Sequence, residues 1–448
     1  MAPANATWAD AIAAAQADPL SLTRPEAVRA VANVLQTNAS ACQSLGHAFL
    51  PQMLGMLDPM LRLYQAYSEA VCRAIAEGGP HAARSANVRH LRGVKKAVLR
   101  LVETFAERCE DERLLADRVV PALLDPVLGD YARALPDARD AEALSCFTAV
   151  VGRLGPAVSP HVPRILEAVF EPTLAMITRN FEDYPEHRLR FFALLAAVTN
   201  HCFPSLLAMS APQLKLLMDS IVWALRHTER NVAETGLQLL LDLCTSFSES
   251  PYATAFFAAY YATLVREVMA VMTDAFHKPG FKLHARILHL LFAVVRPDAP
   301  APADPHRTAA LAPSPQGLQP ALGPPLPGGN AVIRAPLWDA AAKGPSAYPS
   351  NAAYVRELLT ELLATSFPNL TAAQVQASVG GMLELRDFSA LKHLLRDFLV
   401  QSRAFASADN AELFAEEVAA QRAEQEARMA AIPGMLPPSV AVGDDMGG

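Results

Sequence analysis

Apolar residues spaced at the α-helical period, in blocks separated by prolines, constrain this chain more than any other feature. In 211–228, Leu214, Leu217, Met218, Ile221 and Leu225 recur at i, i+3, i+4, i+7 and i+11. Leu237, Leu240, Leu241, Cys244 and Phe247 repeat the pattern in 235–249. These are the stripes of helices that bury one face. No stretch alternates convincingly with the period of two that a half-buried strand needs. Thr23-Arg24-Pro25, Ser159-Pro160, Ser210-Ala211-Pro212 and Ser250-Pro251 each set a polar residue just before a proline. Proline is tolerated in a first helical turn, where N–H groups have no helical partner, so each marks an expected helix start. Helices of roughly 15–25 residues, paired about every 40–50 residues, have the dimensions of HEAT-type repeats. The expected fold is all-α, a HEAT-repeat solenoid in which antiparallel helix pairs stack into a superhelix.

Helical repeats are expected over 1–296 and 350–406. Between them, 297–349 holds 13 of the 35 prolines and reads as a disordered Pro/Ala-rich loop. Within it, "AVIRAPLWDAA" with Trp338 is either a short docking motif or an incidental apolar patch. A polar helix over 407–431, rich in acids and poor in apolar residues, is expected to cap the array, and 432–448 to form a flexible tail. Hydrophobic residues make up 52% of the chain and charged residues 19%, which suits extensive helix–helix burial.

The window "FEDYPEHRLRFFALLAAVTNHCFP" (181–204) gathers acids, two histidines and a thiol, the raw material of a metal or nucleophilic site. Helix geometry argues against both. His187 and His201 are 14 residues apart on one expected helix, which separates them by roughly 21 Å along its axis. Zinc ligands lie about 2 Å from the ion, so the two cannot share one. Asp183 at the N-cap and Glu186 three residues on form a capping-box pattern, so the acids have a structural explanation. Cys202 falls on the apolar stripe of Phe191, Leu194, Leu195 and Val198. No phosphate-loop, dinucleotide-binding, zinc-protease or nucleophile-elbow motif occurs. No catalytic, cofactor-binding or metal-binding residue is assigned, and no cofactor is expected.

The net charge of −7 argues against general nucleic-acid binding. Six widely separated cysteines with no C-x-x-C read as reduced, mostly buried thiols. The N-terminus shows no secretory signal pattern, and no apolar run is expected to span a bilayer. One surface feature points to a partner. In the expected helix over 86–108, Arg89, Arg92, Lys96 and Arg100 recur at i, i+3, i+7 and i+11 on nearly the opposite face from Leu91, Val94, Val98, Val102 and Phe105. Such a basic stripe either meets an acidic partner or is a solvated face.

Several segments carry a resemblance. "LDPMLRLYQAYSE" (57–69), "VVPALLDPVLGDY" (119–131), "NFEDYPEHR" (180–188), "NHCFP" (200–204), "HTERNVAETGLQLL" (227–240) and "LRDFLVQSRAFA" (395–406) resemble the C-terminal half of the exportin-1 family. That family comprises nuclear export receptors of the importin-β (karyopherin) superfamily. The resemblance implies a HEAT superhelix that binds Ran-GTP together with cargo proteins bearing leucine-rich export signals. It also implies contacts with nucleoporins, shuttling between nucleus and cytoplasm through the pore, no membrane insertion and no catalysis by the receptor itself. The groove for leucine-rich signals is expected to lie outside this chain, so none of its residues is assigned here. The tail "SVAVGDDMGG", with only Asp444 and Asp445, is less acidic than the family pattern. The alternative reading is a generic HEAT scaffold that assembles proteins without Ran.

Overall fold

The computed structural model describes residues 23–179, 182–296, 335–344 and 346–401, with the isolated positions 10, 13, 21, 333, 418, 419, 422 and 423. Among the described residues there is no strand. The long helices are α1 (Pro25–Leu45), α2 (Leu50–Gly78), α3 (Ala86–Arg108), α4 (a run from Glu112 to Arg133), α5 (Glu142–Leu154), α6 (Val162–Ile177) and α7 (Pro185–His201). They continue as α8 (Ala211–Leu225), α9 (Arg230–Glu249), α10 (Ala253–Met272), α11 (Phe281–Ala293), α12 (Asn351–Ser366), α13 (Ala372–Glu384) and α14 (Phe388–Gln401). This succession of helix pairs is the all-α, HEAT-repeat architecture that the periodicity implies.

Two compact units emerge. Of the described residues, one comprises those up to Phe257 together with Ile333, the other those from Ala258 onward apart from Ile333. In the first, α1, α3, α5, α7 and α9 each pack on the next. Their partners α2, α6 and α8 pack on α3, α7 and α9. The spine of the first unit is aliphatic: Leu91, Val94, Val98, Val102 and Phe105 on α3 are fully buried. Close approach is enforced where α8 meets α9, because a Cβ on Gly236 would lie 2.7 Å from the Ala224 Cβ. In the second unit, α11 packs on α14, while α13 packs on both α12 and α14. The last carbonyls of α13 have no helical partner. Arg296 donates to the carbonyls of Leu383 and Leu385, and His289 Nε2 donates to that of Arg386 at 2.8 Å.

Helix α4 is irregular for a covalent reason. Pro121 and Pro126 lack the N–H that would close an i→i−4 bond. The chain widens into π-turns at Leu115–Val119 and Leu124–Leu128.

Three expected helix starts are shifted. Ser210 does open α8, with its N–H donating to Gln213 Oε1 at 2.9 Å. Ser159 and Pro160 instead belong to a 3₁₀ turn, Gly155–His161, and α6 begins after it. Ser250 ends α9, and its Oγ accepts the Tyr252 N–H at 3.2 Å. At the start of α7 the capping position is Tyr184, in the left-handed conformation (φ 56°), so Asp183 is not the cap.

The Pro/Ala-rich segment expected to be disordered over 297–349 is folded in its last third. Leu337 and Trp338 are buried. Asn351 at the start of α12 donates to Ala335 O at 2.9 Å and accepts from Leu337 N at 3.1 Å. Trp338 Nε1 donates to Gly344 O at 2.9 Å, and its ring packs on Tyr348 and Tyr354. The apolar residues of "AVIRAPLWDAA" supply local burial that the preceding proline tract lacks. Residues 297–332, the expected capping helix apart from four positions, and the tail lie outside the described residues.

Contrary to the expectation, one helix among the described residues is long and apolar enough to cross a membrane: α10 has 20 residues and contains a window with a mean hydropathy of 1.3. Half of that window is buried, and Tyr261 Oη within it donates to Leu291 O at 2.8 Å. Burial among other helices explains such a composition as well as a bilayer does.

Candidate functional site

The basic stripe of α3 lies at the centre of the first unit's polar chemistry. Arg89 is exposed. Arg92 is not a free surface cation. Its Nε donates to Asp140 Oδ1 at 2.9 Å, and its two terminal nitrogens each donate at 2.6 Å, to the carbonyls of Asp137 and Arg139. Lys96 and Arg100 both reach Glu142, at 3.4 and 3.2 Å, and Arg190 from α7 approaches the same carboxylate at 3.5 Å. The stripe therefore faces an acidic segment of its own chain, the connection from α4 into α5. Arg89 and the outer part of Arg100, whose side chain is 65% exposed, are the most open to solvent, and the Lys96 side chain is 30% exposed.

Sequence reasoning missed the residue at the heart of this arrangement. Lys95, one position before Lys96, is 1% exposed and lies 2.8 Å from Asp130 and 3.1 Å from Asp140. Asp130 also accepts hydrogen bonds from Tyr64 Oη at 2.7 Å and from Ser68 Oγ on α2. Asp137 accepts from Arg84 and from Tyr184 Oη, both at 2.8 Å. On the other side Arg139 donates to the carbonyls of Tyr131 (3.0 Å) and Pro172 (2.9 Å), and the Tyr131 hydroxyl meets that of Thr173 at 2.7 Å. Residues from α2 through the start of α7 thus share one polar network. No local signal marks Lys95 as buried, because its partners lie 35 and 45 residues along the chain.

The electrostatics follow from burial and pairing. Burial alone would push the Asp130 carboxyl up. The adjacent Lys95 ammonium, with hydrogen bonds from Lys95, Ser68 and Tyr64, holds it below its ordinary value instead. Burial pulls Lys95 down, but Asp140 and Asp130 together raise it above its ordinary value. Glu142 would likewise rise on burial, and Lys96, its own backbone N–H and Arg190 hold it low. Asp137 is lowered chiefly by its hydrogen bond from Arg84. The buried charges in this region are paired and hydrogen-bonded, the condition under which a protein interior tolerates them.

The 181–204 window proves to be the frame of α7. His187, at one end, is buried between the rings of Tyr131 and Tyr184. Burial and the cations Arg92, Lys96 and Arg190, opposed by Glu142, lower it to about 4, so it is neutral near pH 7. His201, at the other end, is exposed. Cys202 is buried, its Sγ donates to Gly155 O at 3.1 Å, and burial pushes its thiol up, away from nucleophilic character. Glu186 pairs with Arg190 at 3.9 Å. Among the described residues no three His, Cys, Asp or Glu side chains converge as metal ligands. What the arrangement does chemically is hold successive helices in a fixed register.

Comparison with known proteins fits this architecture. Residues 52–309 and 329–407 match the family described as CRM1 C terminal. Protein EXPORTIN 1A of Arabidopsis thaliana is 46% identical over 440 residues, which cover 98% of this chain. Exportin-1 of Schizosaccharomyces pombe is 38% identical over 98% of the chain, and exportin-1 of Drosophila melanogaster 34% over 97%. The chain spans 38% of the length of each of these relatives. The match runs through the segments that build the polar network, including 119–142 and 180–190. On this family match and these identities, the chain belongs to the exportin-1 (CRM1) family.

Proposed function

We propose that this chain serves as part of a nuclear export receptor. It acts with Ran-GTP and with cargo proteins that carry leucine-rich export signals, and it shuttles between nucleus and cytoplasm through the pore, where it meets nucleoporins. The observation that carries this reading is the collinear similarity to exportin-1 proteins of plant, fission yeast and fly along 97–98% of the chain. The structure supports a role by docking rather than by bond-making. Stacked helix pairs present long surfaces to partners. Within the polar network and the core, Asp130 and Glu142 are held in ion pairs and the thiols of Cys146 and Cys244 are raised by burial. Of the basic stripe, Arg89 and the exposed part of Arg100 are proposed to face a partner, while Arg92 and Lys96 work inward.

The test is a pull-down of the whole chain with Ran loaded with GTP or GDP. The reading expects weak, GTP-selective retention that declines as salt rises, since exposed charges are screened beyond about 8 Å at physiological ionic strength. Equal retention of both forms, or none, contradicts it and favours a Ran-independent HEAT scaffold.

A further inference from the structure

One groove of the first unit is separate from the α3 stripe, though it shares Ser68 with the polar network. It has a volume of about 660 Å³. One wall is α2, with Gln65 and Glu69. The floor is the second π-turn of α4 with Leu124, Asp125, Leu128 and Gly129, and the far wall is α6 with Arg164, Glu167 and Ala168. Its existence follows from the sequence. Pro126 widens the helix here, and the small residues Gly129, Ala132 and Ala168 leave the space unfilled. A Cβ on Gly129 would lie 3.3 Å from the guanidinium of Arg133, which folds over it.

The groove is rich in acceptors that lack donors. Asp125 is paired with Arg164 at the rim. Glu69 and Glu167 are exposed carboxylates on opposite walls, and no cation is paired with either among the described residues. A third acceptor comes from the backbone. Residue 172 of α6 is proline, so the Ala168 carbonyl has no i+4 N–H to bond. The side chains facing the space are three acids, Glu69, Asp125 and Glu167, against two cations, Arg133 and Arg164. One further cation would make the groove neutral.

We propose that this groove is a docking site for an arginine side chain on a peptide segment of a partner protein. A guanidinium carries five N–H donors in a planar fork. It can serve two carboxylates and a carbonyl together, whereas an ammonium offers three donors from one point. The apolar floor of Leu124 and Leu128 accepts the methylene stem. Clefts of a few hundred Å³ are the usual size for holding such a group with its flanking residues.

The test uses saturation-transfer difference NMR on the full chain with acetyl-Gly-Arg-Gly-amide, and with the Lys and Glu tripeptides alongside. The site predicts transfer to the arginine side-chain protons, less to lysine and none to glutamate. In Glu69→Gln/Glu167→Gln, whose changes are on exposed side chains and leave the fold intact, binding should weaken about tenfold through loss of two charge-assisted hydrogen bonds. In Ala168→Leu, which fills the groove, transfer should disappear while the acid pair remains. Equal transfer to the glutamate peptide, no transfer to arginine, or an unchanged signal in the double variant overturns the proposal. The assay contains neither Ran nor an export signal, so its outcome is independent of the export reading.

Discussion

Replacing Lys95 by methionine probes the polar network at its centre. The ammonium is 1% exposed and 2.8 Å from Asp130. At an effective dielectric constant of about 20, a unit pair at that distance attracts by roughly 6 kcal/mol before desolvation. Asp140 keeps Arg92 at 2.9 Å, so the variant strands one buried carboxylate, Asp130, with only Tyr64 and Ser68 to satisfy it. Breaking a buried pair from one side typically destabilises by about 3–5 kcal/mol. Lys95→Met/Asp130→Asn removes the stranded charge and keeps neutral hydrogen-bonding capacity, so it should lose only about 1–2 kcal/mol. A pH signature accompanies this. In the wild type Asp130 is held low, so its contribution is present above the unfolded carboxylate range and is lost as pH falls through the folded value. Without Lys95 the burial that raises the carboxyl is no longer opposed by the ammonium, and its protonation as pH falls relieves the stranded charge. The deficit of Lys95→Met relative to wild type should therefore shrink as pH falls from 7 to 5. The assay is amide hydrogen exchange of peptides covering 60–70 and 128–142, with urea unfolding monitored in parallel. A deficit below about 1 kcal/mol, or a double variant less stable than the single one, would refute the idea that this pair organises the region.

Other perturbations have equally definite outcomes. His187 is lowered from 6.5 to about 4, so the unfolded chain binds the extra proton first. That contribution is complete above pH 6.5 and is lost as pH falls toward 4, by roughly 3 kcal/mol. His187→Phe should flatten this part of a stability–pH curve, and an unchanged curve would show that the ring is not buried in its neutral form. Gly236→Ala drives a methyl to 2.7 Å from the Ala224 Cβ and should destabilise by about 1–3 kcal/mol, read as a lower midpoint in urea. Trp338→Ala removes a buried ring and its bond to Gly344, and should lose about 3–5 kcal/mol of local stability. Limited proteolysis would then cut within 335–349, and unchanged resistance would mean that the ring is not the anchor of that segment.

The helices were legible because their core stripes are local. Leu91 through Phe105 announce α3 by spacing alone, and Leu237 through Phe247 announce α9 in the same way. The polar centre was not legible, because it depends on residues far apart in sequence. Arg89, Arg92, Lys96 and Arg100 read as one solvent stripe. Which of them points outward is decided by Asp137, Asp140 and Glu142, brought alongside by the fold. Lys95 sits next to Lys96, and such a pair reads as two solvated side chains. The acids of 181–186 have the spacing of a capping box, but Pro185 starts α7 and Tyr184 before it turns left-handed, which leaves Asp183 outside the helix. The folded end of the Pro-rich segment was hidden by average composition. Thirteen prolines over 297–349 outweigh one tryptophan in any compositional reading, although that tryptophan anchors the local packing.

The central claim, that this chain supplies part of a working export receptor, is tested most directly by a chimera. The matching 38% of Schizosaccharomyces pombe exportin-1 is replaced by this chain, and the chimera is expressed as the only exportin-1 in cells carrying a fluorescent reporter with a leucine-rich export signal. The account predicts that the reporter leaves the nucleus, and that a mutated signal leaves it inside. A stably expressed chimera that binds the reporter's signal yet leaves it in the nucleus would contradict the account.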